Sequence, residues 1–527
     1  MVSPAQAWRI GRARLRTLDS RASGALLFLA GAVSSLAFAP FHIQPVYLAG
    51  LCLLIFMLDD ARTKARPVRS GLYRGWMFAV GLFLASVYWV ANAFIERGEP
   101  YAYFFWVPLI LMPAGLALFW ALASAAYVRL SRRGLGRVVL FAALLTLAEY
   151  LRAHILSGFP WNIPGQVWIA GEPISQTASV IGINGLSALT LLILSSPAAL
   201  SGSGRTPVRF LVPAAAVIAL AGLFAFGAIR LSATEIEETG AELRIVKLGL
   251  AQSERDYEAR AAILDEYLAL SASPGLERMS AVVWPEGAVP GLILREPELV
   301  SRIGETLGPV PLILGTARVE TGARPYLYYN SLAVLDWVSG EPRLSAVYDK
   351  ARLVPFGEGN PIRNLTEILG FTSLSTNSPF YTPGEGASVL EVNGLPPLLP
   401  LICYEVIFPG FIRGAQSEAA WLLNISNDSW YGQASGPYQH FNIARYRSIE
   451  TGLPMVRSAS AGVSGLVDPL GRGTQLTGLQ SSQALDIRLL AAIAKPFYAT
   501  HGDSPWVIAF IVMLLLIHAP RIYARLG

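Results

Sequence analysis

Long apolar runs separated by short basic tracts dominate the first half of this chain and return near its carboxyl end. The runs lie at residues 24–39, 46–58, 72–95, 103–128, 138–151, 181–199, 209–228 and 505–519. A helix needs about 20 mainly apolar residues to cross a bilayer, and most of the runs approach that length, those at 46–58 and 138–151 being short. The pattern predicts a polytopic α-helical membrane domain of about eight spans.

Basic residues are concentrated in alternate connections between these runs. They precede the first run, separate the second from the third and the fourth from the fifth, precede the seventh and follow the last; examples are Arg16, Lys64, Arg133, Arg209 and Arg521. Loops rich in Lys and Arg stay on the cytoplasmic side of a membrane. We therefore expect a multi-pass membrane protein with both termini in the cytoplasm and the long segment near its carboxyl end on the opposite side, the periplasm or its equivalent.

Three segments follow from this topology. We expect residues 1–231 to form a transmembrane domain with seven helices, residues 232–500 a periplasmic domain, and residues 501–527 a final transmembrane helix and a cytoplasmic tail. A signal peptide would imitate the first run, but no clear small-residue cleavage site follows it and Pro40 leads straight into another apolar run. The first run is therefore expected to remain as a span.

The pattern changes between residues 232 and 500 to short apolar stretches that alternate with amphipathic ones. Strands are predicted at 243–250, 280–283, 311–314, 331–335, 398–403 and 421–425, and residues 256–270 have helical periodicity. Short strands separated by helices are typical of a layered α/β domain. Residues 360–384, rich in Asn, Thr, Ser, Pro and Gly, predict a loop, either a flap over a site or an inert surface loop.

Composition and charge agree with a membrane protein and exclude other classes. Of the 527 residues, 53% are hydrophobic and only 15% are charged, which is unusual for a soluble chain. The net charge of +5 comes from arginine tracts beside apolar runs, so we expect no nucleic acid partner. The five histidines are scattered and no Gly-rich loop has phosphate-binding spacing, so we expect no metal and no cofactor.

Three side chains of different chemistry follow strand-like stretches in the second half: Glu286, Lys350 and Cys403. A thiolate can form a covalent acyl intermediate, and a neighbouring carboxylate can take the thiol proton. A fixed ammonium stabilises the negative charge that develops on the attacked carbonyl oxygen. Singly, they could be a turn carboxylate, a surface lysine and a structural cysteine. Together they predict an acyl-transfer site with Cys403 as nucleophile, Glu286 as base and Lys350 as the oxyanion cation.

The surrounding motifs resemble those of a known superfamily. Trp284-Pro285-Glu286, Asp349-Lys350 with Pro355-Phe356-Gly357-Glu358, and Cys403-Tyr404-Glu405 are similar to the three motifs of the nitrilase superfamily. Within it, the chain most resembles the membrane-embedded apolipoprotein N-acyltransferase family. This resemblance rests also on Gly158-Phe159-Pro160-Trp161, Tyr329-Asn330-Ser331, Asn424 to Trp430, and Gly436 to His440.

The resemblance implies an external nitrilase-like domain with a four-layer αββα sandwich. It also implies that Glu358 helps to position the site. The backbone N–H of Tyr404 would be a second oxyanion donor, and Glu405 would have either a functional part or only a structural ion pair.

The implied reaction moves an acyl chain from a glycerophospholipid of the bilayer, through a Cys403 thioester, to the α-amine of the diacylglyceryl-cysteine of an apolipoprotein. Two alternatives remain at this point. One is a membrane-anchored amidase, in which water resolves the thioester. The other is a transporter or sensor with an inactive external domain.

Overall fold

The computed structural model describes residues 15–131, 134, 136–201, 206–322, 324–338, 340–359, 380–513 and 515. Most of the predicted loop at 360–384 therefore lies outside the described residues. The described chain divides into two compact units. One comprises the chain up to Ile95, Glu99–Ser232 and the chain from His501; the other comprises Glu96–Gly98 and Ala233–Thr500.

The first unit is helical. Its long helices within the described ranges are α1 (Ser20–Ser34), α2 (Gln44–Ala61), α3 (Pro67–Val87), α4 (Trp106–Leu130), α5 (Gly136–His154), α6 (Ala178–Ser195) and α7 (Thr206–Ala233), and a short helix, Asn92–Glu96, follows α3. Six stretches of the described chain are long and apolar enough to cross a membrane: Ser20–Ala37, Gln44–Ala61, Pro67–Glu96, Tyr101–Leu130, Pro173–Ser201 and Arg209–Ala233. The run predicted at 505–519 begins as a shorter apolar helix, Ser504–Met513.

Helix α5 covers the fifth apolar run but differs from those six stretches in its charged residues. Arg137, Glu149 and Arg152 are all buried on it. Arg152 is ion-paired with Glu149 and donates to the carbonyl oxygen of Phe159, while Trp120 donates its indole N–H to Glu149. Pairing and hydrogen bonding offset the high cost of burying these charges among apolar helices.

The second unit contains two β-sheets and the helices that cover them. Its strands are β1 (Glu238–Lys247), β2 (Ala281–Val283), β3 (Leu312–Glu320), β4 (Leu327–Val338), β5 (Glu341–Asp349), β6 (Leu398–Ile402), β7 (Trp421–Asn427), β8 (Met455–Ser460), β9 (Gly465–Val467), β10 (Gly473–Thr474) and β11 (Gln483–Leu490). Its helices are α8 (Arg260–Ser271), α9 (Pro297–Leu307) and α10 (Gly436–Thr451), and the short helix Phe497–His501 lies at its carboxyl end.

The strand orders define a six-stranded and a five-stranded sheet. The first runs β11, β1, β2, β3, β4, β5, and the second β10, β9, β8, β7, β6. Strands β1, β2 and β3 are parallel to one another, as are β6, β7 and β8, whereas the outer pairings are antiparallel. The six predicted strands correspond to β1 to β4, β6 and β7, and the predicted helix corresponds to α8.

The two sheets pack face to face, with helices on their outer faces. Val283 and Ile402, from different sheets, belong to one buried core. Helices α8 and α9 pack on the other face of the six-stranded sheet through side chains such as Leu264. On the outer face of the five-stranded sheet, His440 of α10 lies 3.1 Å from Arg457 of β8. The expected αββα sandwich is therefore confirmed.

Candidate active site

Glu286 lies just beyond the carboxyl end of β2, where the backbone is held by β3. The N–H of Trp284 donates to the carbonyl oxygen of Ile313 (2.8 Å), and the N–H of Gly315 donates to that of Pro285 (3.2 Å). A Cβ atom on Gly315 would lie 2.4 Å from the Cα atom of Glu286. Glycine is therefore required at residue 315 for the two segments to approach this closely.

The Glu286 carboxylate is buried and accepts three hydrogen bonds. Its Oε1 atom accepts from Asn330 Nδ2 (2.7 Å) and from the Lys350 ammonium (3.0 Å), and its Oε2 atom accepts from the backbone N–H of Asn427 (2.8 Å). Burial alone would raise the pKa of Glu286, but Lys350, Asn330 and Asn427 hold that pKa below its ordinary value. Glu286 is therefore ionised at neutral pH and available to accept a proton.

Lys350 directly follows β5 and lies between two carboxylates. Its ammonium is 3.0 Å from Glu286 Oε1 and 2.8 Å from Glu358 Oε1, and the residue is 1% exposed. Burial lowers the pKa of Lys350, but the charges of Glu286 and Glu358 more than reverse this effect, so that pKa is well above its ordinary value. The site thus contains a permanent buried cation.

Cys403 is the first residue after β6 and opens the 3₁₀ turn Cys403–Ile407. Its φ angle is +48°, a left-handed conformation that costs a non-glycine residue of order 1–3 kcal/mol. Burial, and next the charge of Glu286, raise the pKa of the thiol to about 12, while Lys350 and a hydrogen bond with Ser426 lower it. Cys403 is therefore a protonated thiol at neutral pH, within the electrostatic influence of both Glu286 and Lys350.

Glu405 connects the turn that begins at Cys403 to the loop that carries Lys350. Its Oε1 atom accepts from the Tyr348 hydroxyl (2.8 Å) and from the backbone N–H groups of Ala351 (2.7 Å) and Arg352 (3.1 Å). Its Oε2 atom accepts from the N–H of Ile402 (2.8 Å). Burial raises the pKa of Glu405 to about 7, against the lowering effect of the three backbone donors. Glu405 thus holds the segments around Cys403 and Lys350 in register.

The other two supporting residues lie at the same place. Glu358 accepts from Lys350 and from Asn330 Nδ2 (2.7 Å) through Oε1, and its Oε2 atom accepts from the N–H of Val354 (2.8 Å). Tyr404 is buried, and its ring makes an edge contact with Phe408 at 5.1 Å between centroids. Of the six residues singled out from the sequence, Glu286 and Glu358 thus contact the Lys350 ammonium, Glu405 binds the backbone that follows Lys350, and Cys403 and Tyr404 begin the turn that also contains Glu405.

Two further residues of the site were not predicted. Asn330 donates one amide group to both Glu286 and Glu358, and Asn427 supplies the backbone N–H that holds the second oxygen of Glu286. Both lie in segments that resemble the family, Tyr329-Asn330-Ser331 and Asn424 to Trp430, which was the only signal for them in the sequence. Their contacts depend on strand register and on the packing of two sheets, which local patterns do not specify.

The chemistry available at this site is proton transfer and nucleophilic attack by sulfur. An ionised carboxylate, a buried ammonium and a neutral thiol are brought together at strand ends from both sheets. Among the described residues, no group of three His, Cys, Asp or Glu side chains is arranged to hold a metal ion. The side chains present are those that a covalent acyl-transfer mechanism requires.

Two known protein families match this chain, one in each of its halves. Residues 30–195 match the family described as apolipoprotein N-acyltransferase N-terminal domain, and residues 247–483 match the carbon–nitrogen hydrolase family.

Full-length relatives extend these matches. An apolipoprotein N-acyltransferase from Rhodopseudomonas palustris is 39% identical over 510 residues, covering 93% of this chain and 94% of that protein. Those from Bradyrhizobium diazoefficiens and Caulobacter vibrioides are 39% and 38% identical, covering 94% and 95% of both chains, respectively. With the helical unit, the αββα sandwich and the Glu, Lys and Cys side chains at strand ends from both of its sheets, these similarities show that the chain belongs to the apolipoprotein N-acyltransferase family.

Proposed function

We propose that this membrane protein transfers an acyl chain from a glycerophospholipid to the N-terminal α-amine of the diacylglyceryl-cysteine of apolipoproteins, through a thioester on Cys403. The observation that carries the proposal is the Lys350 ammonium held between the Glu286 and Glu358 carboxylates, with the charges of Lys350 and Glu286 acting on the Cys403 thiol. Family membership and the apolar helices support the lipid and lipoprotein substrates.

In the first half of the reaction, Glu286 takes the proton of the Cys403 thiol as sulfur attacks the ester carbonyl carbon of the phospholipid. Negative charge develops on the carbonyl oxygen and is stabilised by Lys350 and the backbone N–H of Tyr404. The carbon–oxygen bond of the ester then breaks. Glu286 returns the proton to the departing oxygen, which leaves a lysophospholipid and an acyl thioester on Cys403.

In the second half, the neutral α-amine of the lipoprotein attacks the thioester carbonyl carbon. Glu286 takes one proton from the amine nitrogen and delivers it to the Cys403 sulfur as the carbon–sulfur bond breaks. The products are an amide-linked acyl chain and the starting thiol. Because one carboxylate serves both half-reactions, the enzyme returns to its initial protonation state, and ping-pong kinetics are expected.

The protonation states of Glu286 and Cys403 before substrate binds imply that the thiol loses its proton as the sulfur attacks the carbonyl carbon. The pKa of Glu286 is held below its ordinary value and burial raises that of Cys403 to about 12, so a free thiolate is scarce. Sulfur becomes nucleophilic only when a substrate carbonyl is in place to receive the negative charge. Lys350 provides a fixed partner for that charge without any reorganisation.

Access to a lipid donor explains why such a site is attached to apolar helices. An acyl chain leaves a bilayer at a cost of about 0.8 kcal/mol per CH₂ group, and a donor taken from the membrane surface avoids most of this cost. In the chain, β1 begins at Glu238, shortly after α7 ends at Ala233. The alternating arginine tracts support a periplasmic location for residues 232–500 and cytoplasmic termini in an inner membrane.

The decisive experiment offers the purified full-length protein a phospholipid with an isotopically labelled acyl chain and no acceptor. Mass spectrometry of the peptide that contains Cys403 is expected to show the labelled acyl group on sulfur. A diacylated lipopeptide added afterwards should receive the label on its α-amine. Release of labelled fatty acid without transfer would instead identify an amidase or hydrolase.

Cysteine variants provide the matched controls. Cys403→Ala and Cys403→Ser should abolish transfer without loss of folding. Cys52→Ala, which changes the second cysteine in α2, should leave transfer unchanged. An active wild-type protein without a Cys403 adduct, or an active Cys403→Ala variant, would contradict the covalent mechanism.

A further inference from the structure

The strained backbone of Cys403 is held by a buried histidine on a neighbouring helix. A residue at φ +48° stays in that conformation only when surrounding contacts impose it. The carbonyl oxygen of Cys403 lies 3.3 Å from Nε2 of His440, which is on α10 and is 0% exposed. Because a carbonyl oxygen can only accept, Nε2 must carry the proton in this contact.

A second set of contacts fixes the orientation of the His440 ring. Its Nδ1 atom lies 3.0 Å from Asp428 Oδ1 and 3.1 Å from Arg457 Nη2. Burial, and next the charge of Arg457, lower the pKa of His440, whereas Asp428 raises it. The Nδ1 atom thus lies between a donor, the N–H group of Arg457, and an acceptor, Asp428 Oδ1. Asp428 and Arg457 therefore orient the ring from its Nδ1 side, whereas Nε2 faces Cys403.

Asp428 and Arg457 form the ion pair behind this ring, and both are almost fully buried. Arg457 Nη2 donates to Asp428 Oδ2 (2.7 Å), and the Ser426 hydroxyl donates to Asp428 Oδ1 (2.7 Å). A Cβ atom on Gly462 would lie 2.2 Å from Asp428 Oδ2, so the carboxylate is enclosed by backbone. The pair offers His440 an environment that cannot rearrange without breaking several buried hydrogen bonds.

We propose that His440 is a positioning residue: its Nε2–H group, oriented by the Asp428–Arg457 ion pair, holds the Cys403 carbonyl oxygen and keeps the nucleophile in its left-handed, reactive conformation. This inference rests on the proposed role of Cys403 as the nucleophile. It assigns the buried polar cluster behind the five-stranded sheet to the acylation step, although none of its members donates a proton to substrate.

Three substitutions at residue 440 separate the hydrogen bond from the volume of the ring. His440→Gln places an amide N–H near the position of Nε2 and retains the donor. His440→Asn carries the same amide group on a shorter side chain, which does not reach the carbonyl oxygen. His440→Met fills the space without a donor. Thr451→Val serves as the control, because it removes a buried hydroxyl that donates to the carbonyl oxygen of Arg447 on the same helix, about three turns away.

Two rates are measured on each full-length variant, together with its thermal unfolding temperature. One is the single-turnover rate of thioester formation from labelled phospholipid; the other is the rate of Cys403 alkylation by iodoacetamide, followed by mass spectrometry of its peptide. His440→Met and His440→Asn should lower both rates by about tenfold or more, with KM for phospholipid changed less than about twofold. His440→Gln should recover most of both rates, and Thr451→Val should match the wild type.

The outcomes separate this inference from the proposed function. Wild-type rates in folded His440→Met or His440→Asn, or equal losses in all three residue 440 variants, would overturn the positioning role. A wild type that forms no thioester would contradict the proposed function, and the alkylation rates would still decide whether His440 positions Cys403. If His440→Met does not fold, the comparison of the Gln and Asn variants gives the same decision.

Discussion

The side chains of Asn330 and Lys350 donate to the same two atoms, Oε1 of Glu286 and Oε1 of Glu358. Two carboxylates that converge on one point repel each other unless donors lie between them. Lys350 supplies the charge that offsets this repulsion. Asn330 supplies a neutral donor whose position is fixed by β4, so the spacing of the carboxylates does not depend on Lys350 alone.

Replacement of Asn330 by leucine should therefore disturb the site without removing a charge. Asn330→Leu keeps the approximate size of the side chain but leaves both Oε1 atoms with one donor fewer. We expect kcat to fall by about 10- to 100-fold, because Glu286 loses its fixed orientation. Steady-state assays with phospholipid and lipopeptide test this. Ser345→Ala, which removes a hydroxyl from β5 that donates to Val334, is the control and should retain activity.

The pH dependence of Cys403 alkylation follows from the raised pKa of its thiol. Burial brings that pKa to about 12, so roughly one molecule in ten thousand carries a thiolate at pH 8. Alkylation by iodoacetamide should be slow and should rise about tenfold per pH unit from pH 7 to pH 10, without a plateau. A plateau near pH 8 would show that the resting thiol is already ionised.

Substitution of Glu286 by glutamine should change two properties of Cys403 in opposite directions. After burial, the charge of Glu286 is the largest effect that raises the pKa of the thiol. Its removal lowers that pKa, so alkylation at pH 8 should become faster, while loss of the base should slow acyl transfer by about 100- to 10,000-fold. Both rates are measured on one preparation. A parallel fall in the two rates would mean that Glu286 supports the fold rather than the proton transfer.

The four hydrogen-bond donors around Glu405 predict that Glu405→Gln, which replaces one carboxylate oxygen by an N–H₂ group, lowers both stability and activity. At pH 8, above its pKa of about 7, the carboxylate accepts from four donors, and a glutamine would turn its own N–H₂ group toward some of them. Glu405→Gln should lower the free energy of unfolding by about 1–3 kcal/mol and reduce kcat. The same substitution at Glu418, which is exposed, should leave thermal unfolding and activity unchanged.

Apolar patterning predicted the helical runs of the first unit and, in the second, six of the eleven described strands and helix α8, while short motifs selected the candidate site residues. The strands that precede Glu286 and Cys403 are continuous apolar runs, because parallel strands are buried on both faces, and such runs are visible in sequence. Glu286 and Cys403 could be selected because each follows such a run. Lys350 follows the mostly exposed strand β5 and could be selected only through its motif, Asp349-Lys350 with Pro355-Phe356-Gly357-Glu358.

The remaining features depend on contacts between distant segments. Asn330 meets Glu286 only through the pairing of β3 with β4, and His440 meets Cys403 only because α10 packs on the five-stranded sheet. Nothing local to either residue encodes these contacts. Charged residues that pair inside the helical unit are similarly hard to recognise from sequence. The buried ion pair of Glu149 with Arg152 lowers the mean hydropathy of helix α5, although this helix packs against its neighbours as the other helices do.

The division of the site between two sheets has a consequence for biosynthesis. Glu286 and Lys350 are carried by the six-stranded sheet, whereas Cys403 and the N–H of Asn427 are carried by the five-stranded sheet. A folding intermediate with only one sheet formed contains either the base and the cation or the thiol, never all three. The base, the cation and the thiol are therefore brought together only when the two sheets pack against each other.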